Sequence, residues 1–177
     1  MGRFFRRLSI ALAALTVVTG AAAGGALAKG PRDKTIVADL EGRRISVSEI
    51  PDWFCHDVDY PQIHCYTTAA ELETALDAAA ASIEGLTGVL APLPYVYIYG
   101  DAGTLGPAYG VTQVWEDLSW IGWNDRISSF KSVNGGFGHF ATDAYNNGRL
   151  YPGFCCNAVV TYVGDSWNDQ FSSVYPW

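Results

Sequence analysis

Two seven-residue phrases near the end of the chain carry the same oxygen donors in the same order. Trp123-Asn124-Asp125-Arg126-Ile127-Ser128-Ser129 returns 44 residues later as Trp167-Asn168-Asp169-Gln170-Phe171-Ser172-Ser173. Five of the seven positions are identical, and with each residue type used at roughly one position in twenty, chance is a poor explanation. Each phrase offers an Asp carboxylate, an Asn carbonyl, Ser hydroxyls and the backbone carbonyl of the residue after the Asp. Hard oxygens of this kind suit Ca2+, which takes about 6–8 of them. One phrase cannot supply that many, so hairpin loops and water must complete each site. A single carboxylate per phrase implies modest affinity, in the micromolar-to-millimolar range of extracellular calcium modules.

Other groups invite chemistry less strongly. His56 and His64 lie between Cys55 and Cys65, and tetrahedral Cys/His sites hold zinc; the spacing is unusual, and paired thiols with surface imidazoles is the plainer reading. Asp57 and Asp59 form an acidic loop or a metal pair. Gly164-Asp165-Ser166 echoes a hydrolase phrase but lacks the strand–elbow–helix context of a nucleophile. His139 alternates on a strand beside Phe140, as a half-buried structural residue does. Trp53, Trp115, Trp120, Trp123, Trp167 and Trp177 are read as core or arch anchors rather than a sugar-stacking platform. No nucleophile, base and orienter can be assembled from these, so the expectation is a protein that is not an enzyme.

The chain of 177 residues begins like a secretory signal. Arg3, Arg6 and Arg7 precede an apolar stretch from Leu8 to Ala23, and Ala26-Leu27-Ala28 is an A-x-A cleavage site. Residues 1–28 are therefore expected to be removed, leaving a secreted protein. Loss of the three Arg takes the net charge from −7 to −10. Such a surface repels nucleic acid and anionic membranes and attracts cations. No second apolar run is long enough to span a bilayer after cleavage.

Four Cys in an exported chain imply disulfides. Neighbouring Cα atoms are about 3.8 Å apart, below the usual disulfide span. On a strand, moreover, adjacent side chains face opposite ways. The expectation is therefore two bridges tying the Cys55/Cys65 segment to Cys155/Cys156, in either pairing. The alternative is Cys55–Cys65, with Cys155 and Cys156 free, strained or intermolecular.

The elements that must position these groups fall into two parts. In residues 29–92, Thr35–Ala38 and Arg44–Val47 can form a hairpin about Glu41-Gly42. Residues 51–66, with Pro51 and Pro61, read as a loop. Thr68 and Glu71 form a capping box. Leu72, Ala75, Leu76, Ala79, Ala80 and Ile83 then share one face, predicting a helix over about 69–84 with Gly85 as its C-cap. From residue 93 the pattern changes to strands. Tyr95, Tyr97 and Tyr99 alternate with Val96, Ile98 and Gly100. Candidate strands follow at Val111–Trp115, Ile127–Val133, Phe137–Thr142, Arg149–Tyr151, Ala158–Val163 and Phe171–Tyr175. Two runs of about four short strands, each closed by the same phrase, suggest two stacked Greek keys.

On these residues the segment 93–177 resembles the βγ-crystallin family. That family repeats an aromatic-rich hairpin followed by Asn/Asp-Asn/Asp-x-x-Ser/Thr-Ser, and in its microbial members the phrase binds calcium. Both phrases here fit throughout. The hairpins depart: Tyr99 and Gly106 match, but Thr104 replaces the second aromatic; Phe140 and Tyr145 match, but Gly148 arrives one place late. The resemblance implies a mainly β, two-motif Greek-key sandwich preceded by an N-terminal region with one α-helix. It implies up to two Ca2+, held by Asp125, the Arg126 carbonyl and Ser128, and by Asp169, the Gln170 carbonyl and Ser172. Asn124 and Asn168 flank these sites and pin the turns. The Gly100–Asp101 and Ala141–Thr142 loops are candidate carbonyl donors. The implied function is calcium binding that stabilises the fold. A secreted peptidase inhibitor or an antimicrobial, killer-toxin-like protein on the same fold is the alternative. Its target would be an extracellular protein or glycan, presented to Thr104–Ala108 or Asn146–Arg149.

Overall fold

The computed structural model describes residues 35–87 and 92–176, so the leader expected at 1–28 lies outside the described residues. Strand β1 (Val37–Leu40) turns at Glu41-Gly42, both in the left-handed region (φ 51° and 81°), into antiparallel β2 (Arg43–Ile45). The Asp39 carboxylate accepts the Gly42 N–H at 2.9 Å and holds this turn. A 3-10 turn, Val47–Asp52, follows, opened by a capping box between Ser46 and Glu49.

Residues 51–66 are not a loop. They form β3 (Phe54–His56) and β4 (Gln62–Tyr66), an antiparallel pair in which Cys55 faces Cys65 and His56 faces His64. The runs are only 3 and 5 residues long. They are bounded by the two prolines, so propensity alone gives little signal. Helix α1 (Ala69–Thr87) starts at the Thr68/Glu71 capping box, where the Glu71 carboxylate accepts the Thr68 N–H at 3.0 Å. It runs past Gly85, because an interior glycine costs only about 1 kcal/mol. Leu72 and Leu76 are buried against Tyr95, Tyr97 and Ala108, so the helix lies across the face of the sheet. Among the described residues no helix is long and apolar enough to cross a membrane.

The rest of the chain is β5 (Tyr95–Asp101), β6 (Leu105–Val111), β7 (Ser129–Val133), β8 (Gly138–Asp143), β9 (Asn147–Leu150), β10 (Val159–Val160) and β11 (Ser173–Pro176). One sheet has the order β10-β7-β5-β6-β3-β4-β1-β2, the other β11-β8-β9. In the first unit, the β5–β6 hairpin is joined by β7, which returns beside β5. In the second, the β8–β9 hairpin is joined by β11, which returns beside β8. The missing third strand of each unit crosses over. β10 leaves the second unit to pair with β7, and Trp115 leaves the first to bridge Val174 of β11. These are two Greek keys, each contributing to the other's sheet. β3 extends the first sheet by pairing in parallel with β6.

The core between the sheets is aromatic. Phe140 packs on Phe130, Phe154 and Phe171 with ring centroids 5.1, 5.2 and 4.9 Å away. All four are buried, at roughly 1.5–3 kcal/mol each. Asp57 is buried with them, only 1 % exposed. Its carboxylate accepts from Thr112 N–H (2.8 Å), Thr112 Oγ1 (2.7 Å) and Trp115 Nε1 (2.6 Å). Burial pushes it up to about 6, against the opposing pull of these hydrogen bonds.

The expected bridges between the two cysteine segments are corrected: Cys55 bonds Cys65, and Cys155 bonds Cys156. The sheet explains why. β3 and β10 stand four strand spacings apart in the first sheet, about 19 Å at ~4.8 Å each, far beyond disulfide reach. Cys55 and Cys65 instead oppose each other in register, with Cα atoms 4.0 Å apart. Cys155 and Cys156 lie on an exposed turn rather than a strand, so the opposite-faces argument does not apply to them.

Candidate metal centre

Each Asn-Asp phrase forms an arch that is left-handed at the Asp, with φ 55° at Asp125 and 54° at Asp169. That backbone is uncommon outside Gly, Asn and Asp. The preceding Asn holds each Asp in place: Asn124 Nδ2 donates to Asp125 Oδ2 and Asn168 Nδ2 to Asp169 Oδ2, both at 2.7 Å. The two amides thus orient the carboxylates, rather than bonding the backbone. Ile127 and Phe171, the second x residues, are fully buried and anchor the arches in the core.

The phrases are exchanged between corners. Asp125 N–H donates to the Phe171 carbonyl (3.0 Å), and Asp169 N–H to the Ile127 carbonyl (3.3 Å), so each Asp sits against the other unit's phrase. At the first corner Asp169 Oδ1 lies 3.5 Å from Ser128 Oγ. Ser128 N–H donates to the Tyr99 carbonyl at 3.0 Å, and Ser129 Oγ to the Asp101 carbonyl at 2.6 Å. The Arg126 carbonyl faces Gly100. At the second corner Ser172 N–H donates to the Ala141 carbonyl (3.0 Å), Ser172 Oγ to the Thr142 carbonyl (2.9 Å) and Ser173 Oγ to the Asp143 carbonyl (2.9 Å). The donors expected from one phrase are therefore split: Ser128 meets Asp169, not Asp125.

These bonds align the hairpins on a motif that the aromatic pattern hides. Asp101-Ala102-x-x-x-Gly106 corresponds to Asp143-Ala144-x-x-x-Gly148. Gly148 is thus in register once Asp101 and Asp143, rather than Tyr99 and Phe140, are matched. Both glycines have positive φ (73° and 75°), and a Cβ at either would strike the Asp side chain folded over it. Asp101 is expected from the sequence only as a loop carbonyl, and Asp143 is not expected at all; the repeated Asp-Ala and its glycine were the signal that pairs them.

The first corner opens into a concavity of about 290 Å³ lined by Gly100, Asp101, Asp125, Arg126 and Asp169, together with Pro51 and Asp52 of the N-terminal turn. The donor set suits a hard cation: carboxylate, hydroxyl and backbone carbonyls, without imidazole or thiolate. Two oxygens each ~2.4 Å from a calcium ion and at right angles to one another lie ~3.4 Å apart. The Ser128–Asp169 separation of 3.5 Å matches that spacing and is long for a hydrogen bond between hydroxyl and carboxylate. Among the described residues no three His, Cys, Asp or Glu side chains gather as a metal cluster. A cation held here would have to draw most of its ligands from the backbone and Ser.

The other candidates lie elsewhere. Cys55 and Cys65 are consumed in their disulfide, which leaves His56 and His64 no thiolate partner for zinc. His64 Nδ1 sits 2.9 Å from Asp39 and its Nε2 3.4 Å from Asp59. Burial, and then the nearby His64, push His56 down to about 4. His139 Nε2 bonds Asn146 Oδ1 at 2.7 Å, and its ring stacks on Tyr175. The Ser166 carbonyl accepts from Arg149 Nη2 at 2.7 Å, and Arg149 also covers Trp167. The segments considered as target-facing loops are largely the return strands β6 and β9.

With the geometry described, similar proteins can be named. No family model matches the chain, and no curated protein does. Solved structures do. A βγ-crystallin domain from work on the evolution of the eye-lens fold is 25 % identical, over 47 % of this chain and 84 % of that one, with a TM-score of 0.45. A βγ-crystallin from Ciona intestinalis is 21 % identical over 47 % of this chain and 99 % of that one (TM-score 0.42). An archaeal βγ-crystallin is 20 % identical over 48 % and 98 % (TM-score 0.42). Among the described residues the protein is a mainly β chain of two interlocked Greek keys preceded by one α-helix, and it is to βγ-crystallin domains that these comparisons find it similar.

Proposed function

We propose that this is an exported calcium-binding βγ-crystallin-like protein, in which up to two Ca2+ ions lock the corners of the interlocked Greek keys and stabilise the fold. The observation that carries the reading is the pairing of Ser128 Oγ with Asp169 Oδ1 at 3.5 Å across two units. The bond from Asp169 N–H to the Ile127 carbonyl brings these two oxygens together, and a shared cation would use their convergence. The first corner would use Asp169, Ser128 and the carbonyls around Gly100, Asp101 and Arg126. The second would use Asp125, Ser172 and the carbonyls around Thr142 and Gln170. Asn124 and Asn168 orient the carboxylates. A bound ion at either corner cross-links the two units, so it adds stability to the folded form alone. The full chain should melt at a higher temperature in millimolar Ca2+ than in chelator, by several degrees. At a hundred times the dissociation constant one site contributes about 2.7 kcal/mol. Coincident melting curves in the two conditions would remove calcium from the account.

A further inference from the structure

Helix α1 is seated by a polar group as well as by its leucines. Leu72 and Leu76 are buried in a cluster with Tyr95, Tyr97 and Ala108, and Phe54, Val58 and Tyr66 pack against it. His56, only 3 % exposed, is bonded to two of those packing residues. Its Nδ1 accepts the Val58 N–H at 3.3 Å, and its Nε2 faces the Tyr66 hydroxyl at 3.4 Å. A backbone N–H can only donate, so Nδ1 has to be bare, and the proton of the neutral ring is on Nε2. His56 also shares with Leu76 the space over Gly110, where a Cβ would come within 3.0 Å of Leu76 Cδ1 and 3.5 Å of His56 Cβ. The imidazole thus lies in the seam between sheet and helix.

A second proton has no place in that seam. On Nδ1 it would point at the Val58 N–H, donor against donor. The neighbours do not absorb the charge either. His64, the cross-strand partner on β4, has its ring 5.6 Å away. Its Nδ1 is 2.9 Å from Asp39 of β1 and its Nε2 3.4 Å from Asp59 of the β3–β4 turn, so both carboxylates are already engaged. Burial and the same two carboxylates raise the Tyr66 pKa and keep it a neutral phenol. β6 offers only Gly110. Among its described residues the helix brings Ala75, Ala78, Ala79 and Ser82 to this side, all uncharged, while Glu73 and Asp77 act on the tyrosines of β5. Asp57, next in the chain, is bonded to Thr112 and Trp115 instead. A groove of about 570 Å³ between that helix face and His56, His64 and Asp59 gives solvent protons a way in.

We propose that His56 is an acid-sensitive latch for α1, whose protonation lets the helix lift from the sheet and bares the tyrosines of β5 beneath it. The direction follows from linkage. The free imidazole binds its proton at 6.5 and the seated one at about 4, held down by burial and then by His64 against the pull of Asp59 and Asp39. The released helix is therefore the form that takes up the proton. The seat is at full strength above about pH 6.5 and weakens as the pH falls toward 4.

The test is amide hydrogen exchange of the full chain in chelator at pH 6.5, 5.5 and 4.5, with each rate corrected for its intrinsic pH dependence, for the wild type and His56→Asn. The Asn Oδ1 replaces Nδ1 as acceptor for the Val58 N–H and does not titrate. In the wild type, opening of α1 relative to β8 should rise at least about tenfold between pH 6.5 and 4.5, where linkage allows up to about fortyfold. In His56→Asn the ratio should not change with pH. A wild-type ratio that is constant with pH, or the same acid rise in His56→Asn, overturns the latch. Should the substitution itself unseat the helix at every pH, the wild-type imidazole decides. Its NMR resonances should titrate together with the loss of α1 protection, and a His56 that titrates while the helix amides stay protected overturns the proposal.

Discussion

Asp57→Asn isolates the charge that pins the N-terminal segment to the first Greek key, and its cost depends on pH in an unusual direction. The carboxylate accepts three hydrogen bonds, of 2.6 to 2.8 Å, from Thr112 and Trp115. Asparagine keeps the shape but turns an N–H toward one of these donors. An unpaired buried donor costs about 1–3 kcal/mol, and this is the expected loss at pH 7. The acid side adds to it. Burial raises the Asp57 pKa from 3.8 to about 6, so the folded state holds this proton more tightly than the unfolded chain does. That contribution to stability is fully present below about pH 4 and is lost as the pH rises through about 6. The difference of roughly two pKa units is worth about 3 kcal/mol. The substitution should therefore be more damaging at pH 4 than at pH 7 by about that amount. Urea unfolding of both proteins in chelator, at pH 4, 5, 6 and 7, measures the difference directly and cancels the other carboxylates. A gap between the two proteins that is constant with pH, or that narrows toward acid, would refute the assignment of Asp57 as a buried, proton-retaining group.

Two further outcomes follow from the exchanged corners and the unequal disulfides. In a double-mutant cycle on calcium binding, Ser128→Ala and Asp169→Ala should couple by about 1 kcal/mol or more, whereas Ser128→Ala and Asp125→Ala should add; coupling within the phrase and none across it would contradict the crossed pairing. A mild dithiol under native conditions should open Cys155–Cys156, whose residues are exposed, before Cys55–Cys65, whose residues are fully buried. Mass mapping after alkylation reads the order, and labels appearing first on Cys55 and Cys65 would contradict it.

The duplicated phrase was legible because its chemistry demands fixed residue types. An arch that is left-handed at one position selects Asp or Asn there, and a buried anchor two residues on selects Ile or Phe. Most strands of both units were legible from alternation within β5 and from their spacing, but β6 was not: Gly106, Pro107 and Gly110 read as turn residues, and the strand expected at Val111–Trp115 keeps, beyond the end of β6 at Val111, only the bridge from Trp115 to Val174. The hairpin correspondence was obscured because Tyr99 and Phe140 look equivalent by type. The fold instead matches Asp101 with Asp143, a distinction set by hydrogen bonds from Ser129 and Ser173 that no local pattern displays. The strands β3 and β4 were hidden for a related reason: they are stabilised by partners far along the chain, Tyr109 and Gly110 for β3 and Val37–Leu40 for β4. The cysteine pairing was misjudged because strand order decides which segments can meet, and strand order is a property of the whole fold.

The exchange of third strands has a consequence for how the molecule comes into being. The first sheet lacks its outer member until Val159–Val160 is available, and the second cannot form its bridge to Trp115 until Val174 is. A polypeptide delivered from its N-terminus onward, by a ribosome or through a pore, thus cannot finish one half and then begin the other. The first half waits on β10 and the second on β11, so both should close late, after most of the chain has arrived.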